Sequence, residues 1–552
     1  MLTHLRALIA LPFFAAPISA QLIPPSARCA GGAVTTTLPG GLVDENIRAR
    51  TIRSGGIWSL TRGATDAAKA SMLADSAPAN LRVAAVLPEL LVTSQQAFPL
   101  AANDGPMWAG KGLSYSVTGG VAICGRNARW GAIVAPTYWY AENAAFDLPD
   151  NPEFVPPLRA DYSPWASSYH YIPRSLDAPR RFGNGALRRF EPGALALWYR
   201  GPRVEAGFTT ESEWWGPGQY NALLMSSQAA GAPRAYVRTS KPIRAAGELD
   251  IRYFIGGLSY SPFFFRDTED STRTLTGLTV VWRPAFEPGL SIGAARLVAA
   301  PILGNGWLRH VLDPVTNVGT PNALPYSDKT QTPGPDQLFS LFADWRLPSD
   351  GAEIWFEWGR AELPQGLRDF FESPNHTQAL TLGLQKVGAM ERPDWTWRVG
   401  AEYSQTNQSS TYRERPTGSW YTSRAIQGGF TQKGQVLGAI IGPGSVTQRL
   451  NLDFAGPRQS IGMFAYRIKW DDDAYYTIPR PMGGAICKHD VSLAFGVRGS
   501  TRAGAGWMEA TLTSQNRLNL YWQASGYCFD NPDLQIDQQN ISLEFRFHPR
   551  MR

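Results

Sequence analysis

The chain has 552 residues, of which 43% are apolar, 12% aromatic and 18% charged, with a formal net charge of +6 and a mean hydropathy of −0.23. No apolar run beyond the N-terminus approaches the ~20 residues of a transmembrane helix, which excludes a helical membrane bundle, and the many aromatics exclude disorder. The length fits several soluble domains, or one large β-barrel whose alternating faces keep hydropathy near neutral.

Residues 1–20 have the pattern of a secretory signal peptide. A short basic start is followed by an apolar stretch over 7–18 and by the small residues Ser19 and Ala20. We therefore expect export.

Pairing among the four cysteines, Cys29, Cys124, Cys487 and Cys528, cannot be derived from their spacing.

Residues 21–105 are predicted to form an N-terminal periplasmic segment that is partly helical. Stretches 66–75 and 80–91 carry Ala and Leu at helical spacing, whereas two-residue alternation is weak there. A loose extension without helices is the alternative.

Residues 106–552 are predicted to form the barrel, because apolar and polar side chains alternate over stretches of about ten residues. In 541–548, for example, Ile541, Leu543, Phe545 and Phe547 alternate with polar residues. The predicted strands are 112–121, 130–138, 193–200, 203–211, 233–240, 247–257, 274–283, 289–298, 337–347, 352–361, 377–387, 394–404, 447–455, 460–470, 489–499, 505–523 and 539–547. Trp345, Trp358, Trp470 and Trp522 at strand ends suit interfacial girdles.

The connections between these strands alternate between short and long, as in outer-membrane barrels with short periplasmic turns and long external loops. This parity predicts an all-β transmembrane antiparallel barrel in the outer membrane of a Gram-negative-type bacterium, with both termini periplasmic. Seventeen strands is an odd number. Either one strand precedes residue 112 or 505–523 contains a hairpin, so 18 strands are expected, with 16 as the alternative.

Catalysis has little support, since no metal-binding spacing and no nucleophile motif occurs. We expect no enzyme, no cofactor and no metal.

Lysine supplies only 8 of the 52 basic residues, so the charge is carried by arginine, which binds carboxylate and phosphate bidentately. The predicted lumen-facing basic residues, which would suit an anionic polymer, are Arg252, Arg346, Arg398, Arg449 and Arg467. Alternatively, each pairs with a lumenal carboxylate such as Asp250, Asp344 or Glu402.

A tryptophan-rich segment, residues 211–221, is predicted to lie in an external loop. Flat aromatic faces beside carboxylates and amides are a setting in which sugars bind. The candidate polysaccharide-binding residues are Glu213, Trp214, Trp215, Gln219, Tyr220 and Asn221, together with Trp139, Tyr140 and Trp165 from two further aromatic clusters. The alternative is that Trp214 and Trp215 only anchor a loop folded into the barrel mouth.

Residues 213–218 (EWWGPG) followed by 221–226 (NALLMS) resemble the signature of the capsule assembly protein Wzi family, as do 103–112 and 177–183 more weakly. The resemblance spans roughly residues 80–550 in order. It implies an 18-stranded outer-membrane barrel with an N-terminal periplasmic helical bundle, acting as a non-enzymatic lectin for capsular polysaccharide. The chain departs from outer-membrane barrels in ending Pro549-Arg550-Met551-Arg552 rather than at an aromatic residue.

The sequence therefore favours a protein that binds surface polysaccharide and supports its attachment or assembly. A passive porin for sugars or oligosaccharides is the alternative. The expected partners are surface polysaccharide, outer-membrane lipid and the barrel assembly machinery, with no nucleic acid; the oligomeric state stays open.

Overall fold

A computed structural model describes residues 33–34, 36, 38–54, 58–66, 82–100, 110–125, 129–147, 175–179, 181–264, 272–302, 310–316, 335–362, 364, 366–392, 394–413, 417–423, 425–477, 489–504, 506–522 and 537–549. The predicted signal peptide and most of the predicted helix at 66–75 lie outside these residues. No helix in the described part is long and apolar enough to cross a membrane.

Eighteen antiparallel strands form a closed barrel. In chain order they are β1 Arg82–Gln95, β2 Gly112–Cys124, β3 Trp130–Ala141, β4 Leu187–Arg200, β5 Val204–Thr209, β6 Arg234–Thr239, β7 Gly247–Ser259, β8 Thr272–Pro284, β9 Leu290–Pro301, β10 Asp336–Leu347, β11 Ala352–Arg360, β12 Gln378–Ala389, β13 Thr396–Gln405, β14 Val446–Ala455, β15 Gln459–Lys469, β16 Val491–Ala503, β17 Gly506–Leu518 and β18 Gln538–Pro549. Each strand pairs with its chain neighbours, and β18 closes the barrel on β1 from Ser542↔Gln95 to Phe547↔Leu90.

The structure confirms the predicted fold class, the 18 strands and all 17 predicted strand positions. The missing strand is β1, and 506–518 is one strand rather than a hairpin. The helix predicted over 80–91 is therefore wrong, and the barrel begins well before the predicted boundary at residue 106. A register shift between Val86 and Glu89 interrupts the alternation in β1, which explains why the pattern was weak.

Links between strands alternate strictly in length, which gives the barrel two different ends. We call the end with links such as 348–351 and 456–458 the tight-turn end, and the end with links such as 210–233 and 406–445 the long-loop end. Outward side chains such as Leu384, Leu450 and Phe495 are exposed and apolar. The inward face is polar and charged, as the alternation predicted.

The lumen is occupied by other parts of the chain. Helix α1, Leu42–Ser54, lies inside the barrel near the tight-turn end rather than as a separate periplasmic unit. A short strand Thr61–Gly63 pairs with another, Glu213–Trp215, also within the lumen. Two further short helices, α2 Leu367–Glu372 and α3 Asp472–Thr477, follow β11 and β15 at the long-loop end.

Candidate functional site

Residues 210–233, which we call the plug loop, join β5 to β6 and fold down into the barrel. Residues 211–229 are buried almost without interruption. The indoles of Trp214 and Trp215 have 0% exposed surface, so neither ring offers a face to a sugar in this conformation. The predicted external position of this segment is therefore wrong. The sequence does not distinguish the two positions, because a polar lumen and water favour the same residue types.

Internal contacts give the plug loop its shape. Trp214 Nε1 donates to the carbonyl of Gly218 at 3.0 Å, and Trp215 Nε1 donates to Glu213 at 2.9 Å. Gly216 has φ of 108°, and a Cβ there would lie 2.7 Å from the Glu357 carboxylate. Glycine is needed at this turn for both reasons.

A single carboxylate on β13 holds the tip of the plug loop. Glu402 accepts hydrogen bonds from the backbone N–H groups of Gln219 at 2.6 Å, Tyr220 at 3.1 Å and Asn221 at 2.9 Å. Trp355 Nε1 donates to the same carboxylate at 3.2 Å. Three consecutive buried N–H groups are thus satisfied by one side chain.

Helix α1 supports the plug loop from the tight-turn end. Arg48 donates to the carbonyl of Pro217 at 2.7 Å and pairs with Glu353 at 3.0 Å. The Tyr220 hydroxyl lies within hydrogen-bond distance of two acceptors, Asn451 Oδ1 at 3.0 Å and Glu45 Oε2 at 3.4 Å. The helix and the plug loop therefore fill the lumen together.

Three of the five predicted lumen arginines are neutralised by carboxylates. Arg252 pairs with Glu213, and Arg346 pairs with Glu353 at 2.9 Å. Arg398 pairs with both Asp453 at 2.7 Å and Glu45 at 2.8 Å. None of the contacts just given involves Asp250, Asp344 or Glu402, the three carboxylates that the sequence suggested. Glu402 binds the plug loop instead.

Burial would raise the pKa of Glu45, but the guanidinium groups of Arg498 and Arg398 outweigh burial and hold it below its usual range. The pKa of Glu213 is lowered in the same way, with Arg234 and Arg252 outweighing the burial of its carboxyl. Both carboxylates are therefore charged at neutral pH, and their ion pairs tie α1 and the plug loop to the wall.

The other two predicted lumen arginines behave differently. Arg467 is on the outward face of β15, where it donates to Gln448 at 3.2 Å, so its predicted lumen position is wrong. Its neighbours Tyr466 and Ile468 face inward instead. Arg449 does face inward, and no carboxylate of the described residues pairs with it. Its guanidinium stacks 3.9 Å above the ring of Tyr220.

The structure does not bring the remaining candidate polysaccharide-binding residues together with the plug loop. Trp139 and Tyr140 lie in β3 rather than in a loop, with Trp139 buried on the lumen side and Tyr140 on the outward face near Tyr115. Trp165 lies outside the described residues, as do three of the cysteines; Cys124 is buried. No cluster suited to a metal ion occurs in the ranges that the structure describes.

A cavity of ≈ 190 Å³ opens at the long-loop end between the plug loop, the 406–445 loop and strands β14, β15 and β17. We call it the mouth cavity. Its aromatic lining comprises Phe98, Tyr220, Tyr466, Trp470 and Tyr521. Trp470, predicted as a girdle residue, turns inward here and donates to Ser492 at 2.8 Å.

Three polar residues that line the mouth cavity have a buried hydrogen-bonding atom with no partner among the described residues. These atoms are the side-chain oxygens of Asn221 and Gln228, both buried, and Nε of Arg449. Asn221 Nδ2 donates to Glu402 at 3.4 Å. Asp471 and Arg517 also line the cavity, and Arg517 pairs with Asp490 at 2.6 Å.

Of the predicted candidates, Tyr220, Asn221 and Arg449 therefore meet at one cavity. Sequence reasoning missed Gln228 and Tyr466, because neither stands in a distinctive motif. The inward face of β15 was the only available signal for Tyr466, and nothing in the sequence places Gln228 beside it.

No family model matches the sequence, and no curated protein matches it. Among solved structures, the chain is similar to Wzi of Escherichia coli, described as an outer membrane protein involved in group 1 capsule assembly and a carbohydrate-binding β-barrel. The TM-score is 0.52 at 11% identity, over 83% of each chain. This likeness concerns the fold.

Two further solved structures give lower TM-scores. OccK11 (OpdR) of Pseudomonas aeruginosa gives a TM-score of 0.37 at 8% identity, over 85% of this chain and 96% of that one. DcaP of Acinetobacter baumannii gives 0.30 at 7% identity, over 86% and 99%.

Proposed function

We propose that the protein binds surface polysaccharide at the mouth cavity and supports its attachment or assembly at the cell surface, without catalysis. The observation that carries the proposal is the lining of the mouth cavity: five aromatic side chains, two amide side chains, and a guanidinium with which no carboxylate of the described residues pairs. Sugars present apolar C–H faces for aromatic rings and hydroxyls for such polar atoms.

Two further features support binding rather than passage. The plug loop and α1 occupy the lumen, which a diffusion pore would need to keep open. The fold is also similar to that of Wzi, which is described as a carbohydrate-binding barrel. Trp214 and Trp215 would then position Tyr220 and Asn221, and direct sugar contact by the tryptophan pair would require the plug loop to leave the lumen.

Isothermal titration of the full-length, detergent-solubilised protein with the host's own surface polysaccharide tests the proposal. Arg449→Gln should weaken binding by about 10–100-fold, the range of a lost hydrogen bond to a charged group. Arg467→Gln is the matched control, because this arginine lies one strand away on the outward face. Equal affinity of both variants and the wild type would contradict the assignment of the cavity.

Planar-bilayer recording distinguishes the proposed function from the alternative, a passive porin for sugars. A polysaccharide-binding barrel with a filled lumen should show no steady conductance. A steady open pore that passes sugars would instead favour a porin, and binding at the mouth cavity would then be only a step in transport.

A further inference from the structure

One sector of the barrel has polar side chains on its outward face. Glycine 277 faces the lumen, because a Cβ there would lie 2.5 Å from Phe254 and 2.7 Å from Trp215. Leu297 pairs with Gly277 and shares its face, so the adjacent Arg296 points outward. Arg296 is nevertheless 8% exposed, and acyl chains could not satisfy its guanidinium.

The segment covering Arg296 is 310–316, which we call the exterior strap. Arg296 Nη1 donates to the carbonyls of Asp313 at 3.1 Å, Pro314 at 3.2 Å and Thr316 at 3.0 Å. On β7, the outward hydroxyl of Tyr253 donates to the carbonyl of Val311. Arg296 is in the middle of β9, so the strap reaches down the outside of the wall rather than staying at the rim.

The exterior strap has the composition of a segment in contact with an apolar medium. Its two titratable side chains, His310 and Asp313, bond each other at 2.7 Å. Leu312 and Val315 are 59% and 52% exposed, although the strap packs against the outward face of the barrel through Arg296 and Tyr253.

Helix α2, which follows β11, also exposes apolar side chains. Leu367, Phe370 and Phe371 fall at i, i+3 and i+4, which places them on one face of the helix. Phe370 packs edge-on against Trp358, whose ring is on the outward face of β11, at 6.1 Å. Leu367 and Phe371 remain 77% and 75% exposed.

We propose that the exterior strap and α2 insert Leu312, Val315, Leu367 and Phe371 into the membrane leaflet that surrounds the long-loop end, with lipid acyl chains as the occupant. The apolar face of α2 is continuous with the lipid-facing wall through Phe370 and Trp358. Its other face carries the exposed ion pair Arg368–Glu372, which suits the headgroup region. The sector β7–β12 thus meets lipid partly through non-strand segments. This proposal is independent of glycan binding.

The test uses full-length protein reconstituted in phosphatidylcholine vesicles with and without bromine on the acyl chains, because bromine quenches tryptophan emission on contact. Leu312→Trp and Phe371→Trp are made separately, and wild-type emission is subtracted. Leu450→Trp, on the bare outward wall at 62% exposure, is the matched control.

The emission added by each variant should be lost in brominated vesicles to the same extent as that of Leu450→Trp. If the Leu450→Trp signal is quenched and the other two are not, the segments lie in water or under a second protein copy and the proposal is overturned. Val315→Trp and Leu367→Trp replace any variant whose circular dichroism departs from the wild type.

Discussion

Removal of the Glu402 carboxylate is the sharpest test of how the lumen is filled. In Glu402→Ala, the backbone N–H groups of Gln219, Tyr220 and Asn221 lose their acceptor while remaining buried. Each orphaned group costs about 1–3 kcal/mol, so the docked plug loop should be destabilised by roughly 3–9 kcal/mol. We expect the lower part of this range, because water can enter once the loop moves.

Hydrogen exchange over residues 213–225 measures this loss directly. About 3 kcal/mol corresponds to a rise in exchange of roughly 100-fold, since 1.4 kcal/mol is a factor of ten. Conductance in planar bilayers should appear in parallel. Glu402→Gln keeps one acceptor oxygen and should show a smaller effect.

Glu89→Ala is the matched control, because this lumen carboxylate pairs with Arg546 at 3.0 Å rather than with the plug loop. If Glu402→Ala exchanged at the wild-type rate and stayed closed, the carboxylate would not be what holds the loop. Equal opening by Glu89→Ala would show that any lost lumen charge has the same effect.

Three further predictions concern the same assembly. Trp214→Ala removes a fully buried ring and should destabilise the docked plug loop by about 3–5 kcal/mol, measured as faster hydrogen exchange in the loop. Gly40→Ala should act in the same direction and accelerate exchange in α1, because φ is +83° and the new Cβ would lie 2.3 Å from the Trp214 ring. The lowered pKa of Glu213 adds stability that is fully present above its ordinary value of 4.5 and is lost as pH falls through the lower folded value. Conductance should therefore appear only below about pH 4.5, and Glu213→Gln, which leaves Arg234 and Arg252 without their shared charge, should conduct at neutral pH.

Strand positions were predictable because alternation is a local property of a chain with one face in lipid and the other in a polar lumen. β13 shows this well, since Val399 is exposed outward while Arg398 and Glu402 are buried inward. β1 was missed where the bulge after Val86 breaks the period. Arg467 was misplaced because an outward residue near a strand end can be polar.

The candidate site was only partly predictable. Tyr220, Asn221 and Arg449 were chosen from the sequence, but their meeting with Gln228 and Tyr466 depends on contacts between distant segments. Trp470 was assigned to a girdle because a tryptophan at a strand end has the same local pattern whether it turns outward or inward.

The sequence by itself determined that this chain is an 18-stranded barrel with long loops at one end, because strand period and link length are local properties of the chain. Only the tertiary structure decided which segments enter the lumen. A loop that faces water and a loop that faces a polar lumen wall need the same side chains, so the burial of Trp214 and Trp215 follows from partners such as Glu402 and Arg48, far away in sequence. The plug loop therefore forms part of the wall of the mouth cavity. The other residues of that wall are brought together only in the closed barrel.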